Sequence, residues 1–247
     1  MELKGCAAIV TGGSGGLGER ICRALALSGV NVAVNYTASE AKAKSVAADI
    51  SKLGARAVAI RADVTDVAAV ARMAEQTKAE FGRIDILVND AAFNQSVPFP
   101  DINGLTHEIW NKIITTNLYG PFNCIKAVAP IMKTQGQGRI INISSGAGIF
   151  PRGSSIAYAV SKAGLNHLTT CMAAALAPEV TVNCVAPGHM KGTRMTSNLR
   201  PEHIAKAEQT AALRRSVNKD DVADQIVLFC KSDSVTGQTI LMDCGRF

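Results

Sequence analysis

A glycine-rich turn near the N-terminus constrains the fold of this chain more than any other feature of its sequence. A short apolar run over 6–10 is followed by glycines at positions 12, 13, 15, 16 and 18, and residues 17–27 then have a helical pattern. A strand, a glycine turn and a helix in this order form the setting of a dinucleotide fingerprint. Glycine permits a close approach to a pyrophosphate, and the first N–H groups of a helix can bind its charge. A glycine turn alone is also compatible with an ordinary strand–helix loop.

Seven apolar runs alternate with helical patterns along the chain. The runs predicted as strands are 6–11, 31–36, 55–62, 84–89, 139–145, 180–186 and 238–243. Such alternation favours a parallel sheet with helices on both faces, and nearly continuous apolar strands are typical of a sheet buried on both sides. We therefore predict an α/β fold with one Rossmann-type, doubly wound parallel sheet of about seven strands. The length of 247 residues, 47% of them hydrophobic, suits a single domain over 1–247.

Tyr158 and Lys162 are four residues apart within 155–176, which is predicted as a helix. The two side chains therefore share one helix face. A free tyrosine has a pKa of about 10, and a nearby ammonium favours the phenolate and lowers that pKa. Such a pair can exchange a proton with a carbonyl or alcohol oxygen. The same spacing also occurs by chance on solvated helix faces.

Six motifs, in order along the chain, resemble those of the short-chain dehydrogenases/reductases, and in particular the compact branch of the 3-oxoacyl-[acyl-carrier-protein] reductases. Residues 11–18, TGGSGGLG, match the fingerprint TGxxxGxG, and 158–162, YAVSK, match YxxxK. Ser145 follows a strand pattern at the family's spacing to the tyrosine, and Asn117 matches the helix asparagine. Residues 183–188, NCVAPG, resemble the NxVxPG turn, and 236–243 resemble the C-terminal strand. The resemblance covers essentially the whole chain.

This resemblance implies an NAD(P)-dependent oxidoreductase that interconverts a ketone and a secondary alcohol. It implies that Tyr158 exchanges the proton, Ser145 holds the substrate oxygen, and Lys162 binds the nicotinamide ribose and lowers the tyrosine pKa. Asn117 is expected to hold a water molecule that links Lys162 to solvent. The residues expected to contact the cofactor are Gly12, Ser14, Gly15, Gly16, Leu17, Gly18, Asn35, Tyr36, Thr37, Ser39, Asp63, Val64, Asn89, Ala91, Tyr158, Lys162, Pro187, Gly188 and Thr193.

The residues after the second predicted strand bear on the choice of cofactor. A carboxylate there would bind the adenosine ribose hydroxyls and select NAD. Residues 35–39 are NYTAS, with no acid before Glu40, so a group that would repel a 2′-phosphate is missing. Charge complementarity therefore favours NADP(H). Gly15 stands where many NADP-dependent relatives have an arginine, so NAD(H) and dual specificity remain open.

Three segments depart from the family pattern. Residues 89–92 are NDAA where the family has NNAG. We expect Asp90 to cap or brace a neighbouring loop, and Ala92 indicates that its position does not require a positive φ. Thr193 lies one residue later than the family's threonine after the NxVxPG turn, and residues 243–245 are DCG where the family has DGG. None of these departures involves the four catalytic positions.

The substrate is less clearly indicated than the reaction. A lid is expected over about 189–217, with Met190, Met195, Leu199 and a helix over 201–213. Delivery by an acyl carrier protein would require a basic docking surface, but residues 173–179 have no positive side chain and 132–134 are only mildly basic. This favours a small free ketone or alcohol as substrate. A 3-oxoacyl-[acyl-carrier-protein] reductase stays open as the alternative.

Two further classes of function also stay open. One is a non-catalytic NADP-binding regulatory protein, although such relatives typically lose the tyrosine or the lysine that this chain keeps. The other is an isomerase or dehydratase with the same cofactor fold, which tends to carry an extended C-terminal substrate domain. Oxidation of the cofactor by a panel of ketones separates these classes.

Charge and composition narrow the partners and the location. The net charge is +6, but the positive residues are scattered, so no surface for nucleic acid is expected. No apolar run approaches the length of a membrane span. The seven cysteines form no CxxC pair and the four histidines no ligand pattern, which favours free thiols in a cytoplasmic protein without a metal.

Apolar residues over 163–176 cover more than one helix face, so a homotetramer is expected. Phe247 is expected at an interface, with a frayed tail as the alternative.

Overall fold

The computed structural model describes residues 1–193 and 201–246, and this part of the chain forms one seven-stranded sheet flanked by helices. The strands are β1 (Ala7–Thr11), β2 (Asn31–Tyr36), β3 (Ala57–Arg61), β4 (Ile86–Asn89), β5 (Gly138–Ile143), β6 (Val180–Pro187) and β7 (Thr239–Met242). The helices are α1 (Gly18–Leu27), α2 (Glu40–Lys52), α3 (Val67–Phe81), α4 (His107–Ile114), α5 (Gly120–Gln135), α6 (Ile156–Leu176), α7 (Pro201–Gln209) and α8 (Lys219–Lys231).

All six neighbouring strand pairs are parallel, in the order β3-β2-β1-β4-β5-β6-β7. The chain moves outward from β1 to β3 and then returns to add β4 to β7 on the other side. The predicted doubly wound α/β fold is therefore confirmed. A reversal of this kind creates a crevice at the carboxyl ends of β1 and β4, where such sheets bind their ligands.

Successive residues of a strand enter two different hydrophobic cores. Ala8 and Val10 of β1 pack with apolar residues of α1, α2 and α8, whereas Ile9 packs with those of α3 and α5. This alternation follows from the two-residue period of a strand. It explains why the strands are apolar at nearly every position, since each side chain faces one layer of helices. Full burial of an aliphatic side chain such as Ile9 contributes about 1.5–3 kcal/mol.

The predicted strand bounds differ from the observed ones by one or two residues at several ends. Ile84 shows the reason, because it is fully buried but its N–H donates to the Gln135 side chain (3.1 Å) instead of to a neighbouring strand. Burial makes such residues apolar whether or not they belong to a ladder. Apolar patterns therefore locate strands well and their ends less well.

The predicted helix over 201–213 is too long, since α7 ends at Gln209. The N–H groups of Ala212 and Leu213 donate instead to the carbonyls of Gly245 and Cys244, at 3.0 and 3.1 Å. This pairing ties the end of the expected lid to the C-terminal segment. Met195, Leu199 and Phe247, for which roles were predicted above, lie outside the described residues.

Over residues 1–193 and 201–246, none of the helices combines the length and the apolar character that a membrane crossing requires. All seven cysteines are free, and five of them are buried. The same part of the chain holds no group of three or more His, Cys, Asp or Glu side chains arranged to bind a metal.

Candidate active site

The turn between β1 and α1 is shaped so that several of its glycines have no room for a side chain. Gly12 has a φ of 65°, and a Cβ at this position would lie 3.1 Å from Cα of Ala91. A Cβ at Gly16 would come within 2.7 Å of the Gly192 carbonyl, and one at Gly18 would collide with the Gly12 carbonyl. The turn therefore requires glycine for steric reasons. It brings bare backbone to the start of α1, as a bound pyrophosphate would need.

Two helices begin beside this turn without a side-chain cap. Neither Leu17 before α1 nor Ser39 before α2 accepts a backbone hydrogen bond through its side chain. Other helices are capped in this way: α3 by Asp66, α4 by Thr106, α6 by Ser155 and α8 by Asn218. The first N–H groups of a helix attract an anion, so the starts of α1 and α2 offer two places suited to phosphate. In α1 the N–H of Glu19 donates to the Gly15 carbonyl (2.9 Å), and that of Gly18 faces the Asp90 carboxyl.

Asn35 and Tyr36 of β2 are both buried, and their side chains have partners within the protein. Their contact with the cofactor remains a prediction. Asn35 Oδ1 accepts from the N–H of Gly12 (3.2 Å), and its Nδ2 donates to the carbonyls of Ala62 (3.0 Å) and Ile60 (3.3 Å). Tyr36 packs within the core that α1 and α2 cover. Asn35 thus braces the glycine turn against β3, and Tyr36 fills the core.

Thr37 and Ser39 are exposed beyond the end of β2, and Arg61 joins them from β3. The strand register places Arg61 opposite the last residue of β2, and its Nε donates to the Thr37 carbonyl (3.2 Å). The nearby Glu40 is paired with Lys44 at 2.7 Å. Arg61 therefore adds positive charge at the start of α2. The sequence pattern does not reveal this role, because only the pairing of β2 with β3 brings Arg61 to Thr37.

Asp63 and Val64 follow β3, as predicted, but they differ in exposure. The exposed Asp63 accepts hydrogen bonds from the N–H and the hydroxyl of Thr65, at 2.9 and 2.7 Å. Val64 is buried, and its carbonyl accepts from Asn123 of α5 (3.0 Å). This corner is thus held by its own hydrogen bonds, with the Asp63 side chain at the surface. Contact of the pair with adenine remains a prediction.

Asn89 and Ala91 lie directly behind the glycine turn. The buried Asn89 donates to Asn142 of β5 (2.9 Å), which in turn donates to Thr169 of α6 (2.9 Å). Ala91 donates its N–H to the Thr11 hydroxyl (3.1 Å) and packs its Cα against Gly12. Asn89 thus links β4 to β5 and α6, whereas Ala91 links the end of β4 to β1 and limits the space at the turn.

Two departures from the family pattern have a conformational explanation. Among the described residues other than glycine, only Arg214 and Cys244 have a positive φ. The expectation that Ala92 does not require one is confirmed. Cys244 has a φ of 61°, in the region that favours glycine, and it occupies the position of a glycine in the family's DGG.

Tyr158 and Lys162 lie one turn apart on α6, close to its start. Ser155 caps this helix and accepts the N–H of Tyr158 (3.2 Å), so the cap fixes where the tyrosine emerges. Lys162 is only 3% exposed, and its Nζ donates to the Ile143 carbonyl (2.8 Å) and lies 5.8 Å from the Tyr158 ring centroid. The Ser145 hydroxyl faces the phenol from the end of β5. The fold therefore brings together the serine, tyrosine and lysine that the sequence predicts.

Burial is the main influence on the protonation of Tyr158 and Lys162. Burial raises the pKa of Tyr158, the Ser145 hydroxyl lowers it in part, and the charge of Asp90 raises it further. Burial also lowers the pKa of Lys162 to about 8, while Cys184 and Asp90 act in the opposite sense. The Tyr158 pKa is thus raised where the sequence predicted a lowered one, because loss of water has the largest effect and the Lys162 ammonium donates to the Ile143 carbonyl. Tyr158 keeps its proton at neutral pH and can donate it to a carbonyl oxygen.

Asn117 lies in a π-helical turn, Thr115–Tyr119, between α4 and α5. Its Nδ2 donates to the Phe93 carbonyl (2.9 Å) and the Ser161 hydroxyl (3.1 Å), and its Oδ1 accepts the N–H of Phe93 (2.8 Å). The side chain therefore ties the loop after β4 to the residue preceding Lys162. Turns of this kind are frequent at functional sites. The water molecule expected between Asn117 and Lys162 remains a prediction.

The segment after β6 passes the opposite side of the crevice. Gly188 donates its N–H to the Met242 carbonyl (2.8 Å), and a Cβ there would lie 2.7 Å from Cβ of Asp243. Thr193 is buried and lies against Gly16, so it is placed beside the glycine turn. The residues from Pro187 to Thr193 thus connect the end of β6 with the start of α1. They follow the path expected of a segment that covers a dinucleotide.

The expected lid is held by polar contacts across its base. Lys191 pairs with Glu208 of α7 at 2.7 Å, and Glu208 accepts from the Ser216 hydroxyl (2.9 Å). His189 Nδ1 also lies 3.0 Å from that hydroxyl. These contacts connect both ends of the 189–217 segment.

Comparison with known proteins agrees with this site. Residues 6–204 match the family model described as short chain dehydrogenase. The chain is 38% identical over 242 residues to a 3-oxoacyl-[acyl-carrier-protein] reductase of Synechocystis, covering 96% of this chain and 95% of the relative. It is 36% identical over 243 residues to the corresponding reductase of Staphylococcus aureus, covering 97% of each chain.

Solved structures give the same result. A Pseudomonas aeruginosa structure described as an RhlG/NADP active-site complex superposes with a TM-score of 0.90 at 29% identity, covering 99% of this chain and 97% of that one. A dehydrogenase/reductase from Sinorhizobium meliloti superposes with a TM-score of 0.90 at 32% identity, over 99% and 97% of the two chains. With a family model and near full-length relatives in agreement, this chain belongs to the short-chain dehydrogenase family of oxidoreductases.

Proposed function

We propose that this protein is an NADP(H)-dependent ketoreductase that converts a small free ketone to a secondary alcohol and also catalyses the reverse reaction. The observation that carries this proposal is the convergence of Ser145, Tyr158 and Lys162 at the end of β5, on the edge of the sheet where the glycine turn begins α1. A proton donor, an oxygen-binding hydroxyl and a cation thus lie beside a place suited to a dinucleotide. This is the set of groups that carbonyl reduction requires.

Each of the three residues has its own role in the proposed reaction. The nicotinamide, when bound, supplies the hydride. The Ser145 hydroxyl donates a hydrogen bond to the substrate oxygen and holds it beside Tyr158. Tyr158 donates its proton to that oxygen, and Lys162 holds the nicotinamide ribose hydroxyls and stabilises the phenolate that remains.

Three features of the described residues support NADP(H) over NAD(H). The start of α2 is uncapped, which suits a 2′-phosphate. Arg61 lies at the Thr37 carbonyl, where an arginine can bind phosphate with charge-assisted hydrogen bonds. Residues 35–39 contain no acid. The RhlG structure that resembles this chain is itself described as an NADP complex.

A small free substrate is favoured over one delivered by a carrier protein, although the relatives in Synechocystis and Staphylococcus are named for the carrier-bound substrate. Lys133 reaches the 173–179 segment, with its Nζ 3.4 Å from the Ala175 carbonyl. That segment itself contains Glu179 and no positive residue. A carrier protein is acidic, so this surface offers it little electrostatic attraction.

The substrate proposal is tested by measuring NADPH oxidation with a panel of small ketones and with one 3-oxoacyl group on two thiols, a carrier protein and a short thiol. We expect turnover of free ketones, and a kcat/KM for the carrier-bound group that does not exceed that for the short thioester. Turnover confined to the carrier-bound group would establish the carrier-dependent alternative. Tight NADPH binding without turnover of any ketone would favour the regulatory alternative.

The protein is expected to form a homotetramer in the cytoplasm. Tyr119, Phe122 and Val160 are 58%, 39% and 45% exposed on adjoining parts of α5 and α6 and the turn before them, and apolar side chains of this size are favoured in interfaces. Light scattering at micromolar concentration should give the mass of four chains. Phe122→Asp should reduce that mass, whereas Val67→Asp, at an apolar residue of α3 that is 64% exposed, should not. A monomer mass for the wild-type protein would contradict the proposal.

A further inference from the structure

Asp90 occupies the second position of the segment where the family has asparagine, and it lies at the centre of the cofactor site. Its own N–H donates to the Thr11 hydroxyl at the end of β1 (3.0 Å). Its carboxyl faces the backbone N–H of Gly18, the first residue of α1. It is partly buried between these elements and α6. The expectation that Asp90 caps or braces a neighbouring loop remains a prediction.

Few neighbouring groups stabilise the negative charge of the Asp90 carboxylate. Within the described residues, no side chain donates a hydrogen bond to it or forms an ion pair with it within 4 Å. Lys162 attracts it through space, but the Lys162 ammonium donates to the Ile143 carbonyl. The other titratable groups that face it are Tyr158 of α6 and Cys22 of α1. Burial raises the pKa of both, so both are neutral over the physiological range.

Withdrawal from water accordingly raises the pKa of Asp90 to about 7, while Lys162 and the Gly18 N–H act to lower it. The carboxyl is therefore divided between its charged and neutral forms at neutral pH. An asparagine at this position would be neutral at every pH. The substitution thus introduces a proton-binding group at the place where the dinucleotide's phosphates would arrive.

We propose that Asp90 is a positioning residue that holds the first turn of α1 and takes up a proton from solvent when a dinucleotide binds at the glycine turn. This inference rests on the cofactor site proposed above. The proton bonds to a carboxylate oxygen, and no other bond forms or breaks. The physical cause is the pyrophosphate, whose negative charge disfavours a second anion at the same helix terminus.

The sign of the pH dependence follows from linkage. A bound pyrophosphate raises the Asp90 pKa, so the complex binds more protons than the free protein. Below the free pKa of about 7 both states are protonated and affinity is constant. Above it, affinity falls by up to about tenfold per pH unit until the pKa of the complex is reached. Low pH therefore favours cofactor binding.

The test must separate Asp90 from two other titrating groups. Lys162 has a pKa of about 8, so the comparison uses Lys162→Arg, which keeps a positive charge that does not titrate. NADH serves as the probe because it lacks the 2′-phosphate, whose own pKa lies near about 6. The matched pair is Lys162→Arg and Lys162→Arg/Asp90→Asn. The asparagine is nearly isosteric, and thermal melting checks that both proteins are folded.

Calorimetric titration of NADH at pH 7.0, in two buffers of different ionisation enthalpy, measures the protons taken up. We expect about half a proton per NADH for Lys162→Arg, since about half of Asp90 is ionised at its pKa. For Lys162→Arg/Asp90→Asn we expect none, and an affinity independent of pH from 6 to 9. Equal uptake in the two proteins, or none in Lys162→Arg, would overturn the inference even if the wild-type enzyme reduces ketones. Absence of binding of both NADPH and NADH to the wild-type protein would overturn the inference and the proposed site together. If Lys162→Arg alone fails to bind NADH, the same titration of the wild-type protein and Asp90→Asn decides, and equal proton uptake in those two proteins would overturn the inference.

Discussion

Tyr158→Phe should lower kcat for ketone reduction by about 10²–10⁴-fold, which is the usual contribution of a positioned proton donor, while leaving NADPH binding nearly unchanged. The ring that packs in the site is retained, and only the hydroxyl that donates the proton is lost. Initial rates give kcat, and NADPH fluorescence gives the dissociation constant.

Tyr119→Phe is the matched control, because this tyrosine is 58% exposed and has no assigned part in the chemistry. Its kcat should stay close to the wild-type value. If Tyr158→Phe kept most of the wild-type rate, Tyr158 would have no part in proton transfer. A loss of NADPH binding equal to the loss of rate would point to a collapsed site instead.

Thr37→Asp should reverse the cofactor preference from NADPH to NADH. The carboxylate would lie beside Arg61, which donates to the Thr37 carbonyl at 3.2 Å, and would both neutralise that charge and repel a 2′-phosphate. Loss of a hydrogen bond to a charged group costs about 1.5–3 kcal/mol, so NADPH should bind about 10- to 150-fold more weakly. Tyr36 is a poor site for the same change, because it is buried and an Asp there would disturb the core.

Arg61→Gln tests the same cofactor preference by removing the positive charge of the protein that would bind the 2′-phosphate. Its dissociation constant for NADPH should rise by a similar factor, and that for NADH should stay near the wild-type value. Arg56→Gln is the control. Arg56 lies just before β3, at the end of the strand opposite to Arg61, where it pairs with Glu80 (2.7 Å). Equal weakening of NADPH and NADH by Arg61→Gln would remove its role in selecting the 2′-phosphate.

Residues that depend on local pattern could be predicted from the sequence. The apolar strands appear as runs because each faces two cores, and Ile9 and Val10 of β1 illustrate this by entering different cores. The positions of Tyr158 and Lys162 on one helix face follow from helical spacing. These features need only neighbours a few residues away, which is the range over which sequence patterns act.

Residues whose roles depend on distant contacts could not be predicted in the same way. Asn35 carries an amide that could bind a cofactor, but in this structure the amide forms hydrogen bonds with Gly12 and with the carbonyl that follows β3. Arg61 gains its role only through the register of β2 and β3. The Tyr158 pKa depends on burial by several elements, so local spacing to Lys162 gave the wrong direction.

Transfer of deuterium from labelled NADPH tests the central claim most directly. The wild-type enzyme should be supplied with NADPH that carries deuterium at the transferable C4 position and with a ketone that it turns over, in ordinary water, and the alcohol analysed by mass spectrometry and NMR. We predict one deuterium on the carbinol carbon and a hydroxyl proton from solvent by way of Tyr158. An alcohol without deuterium at that carbon, from NADPH labelled on either face, would contradict direct hydride transfer at this site.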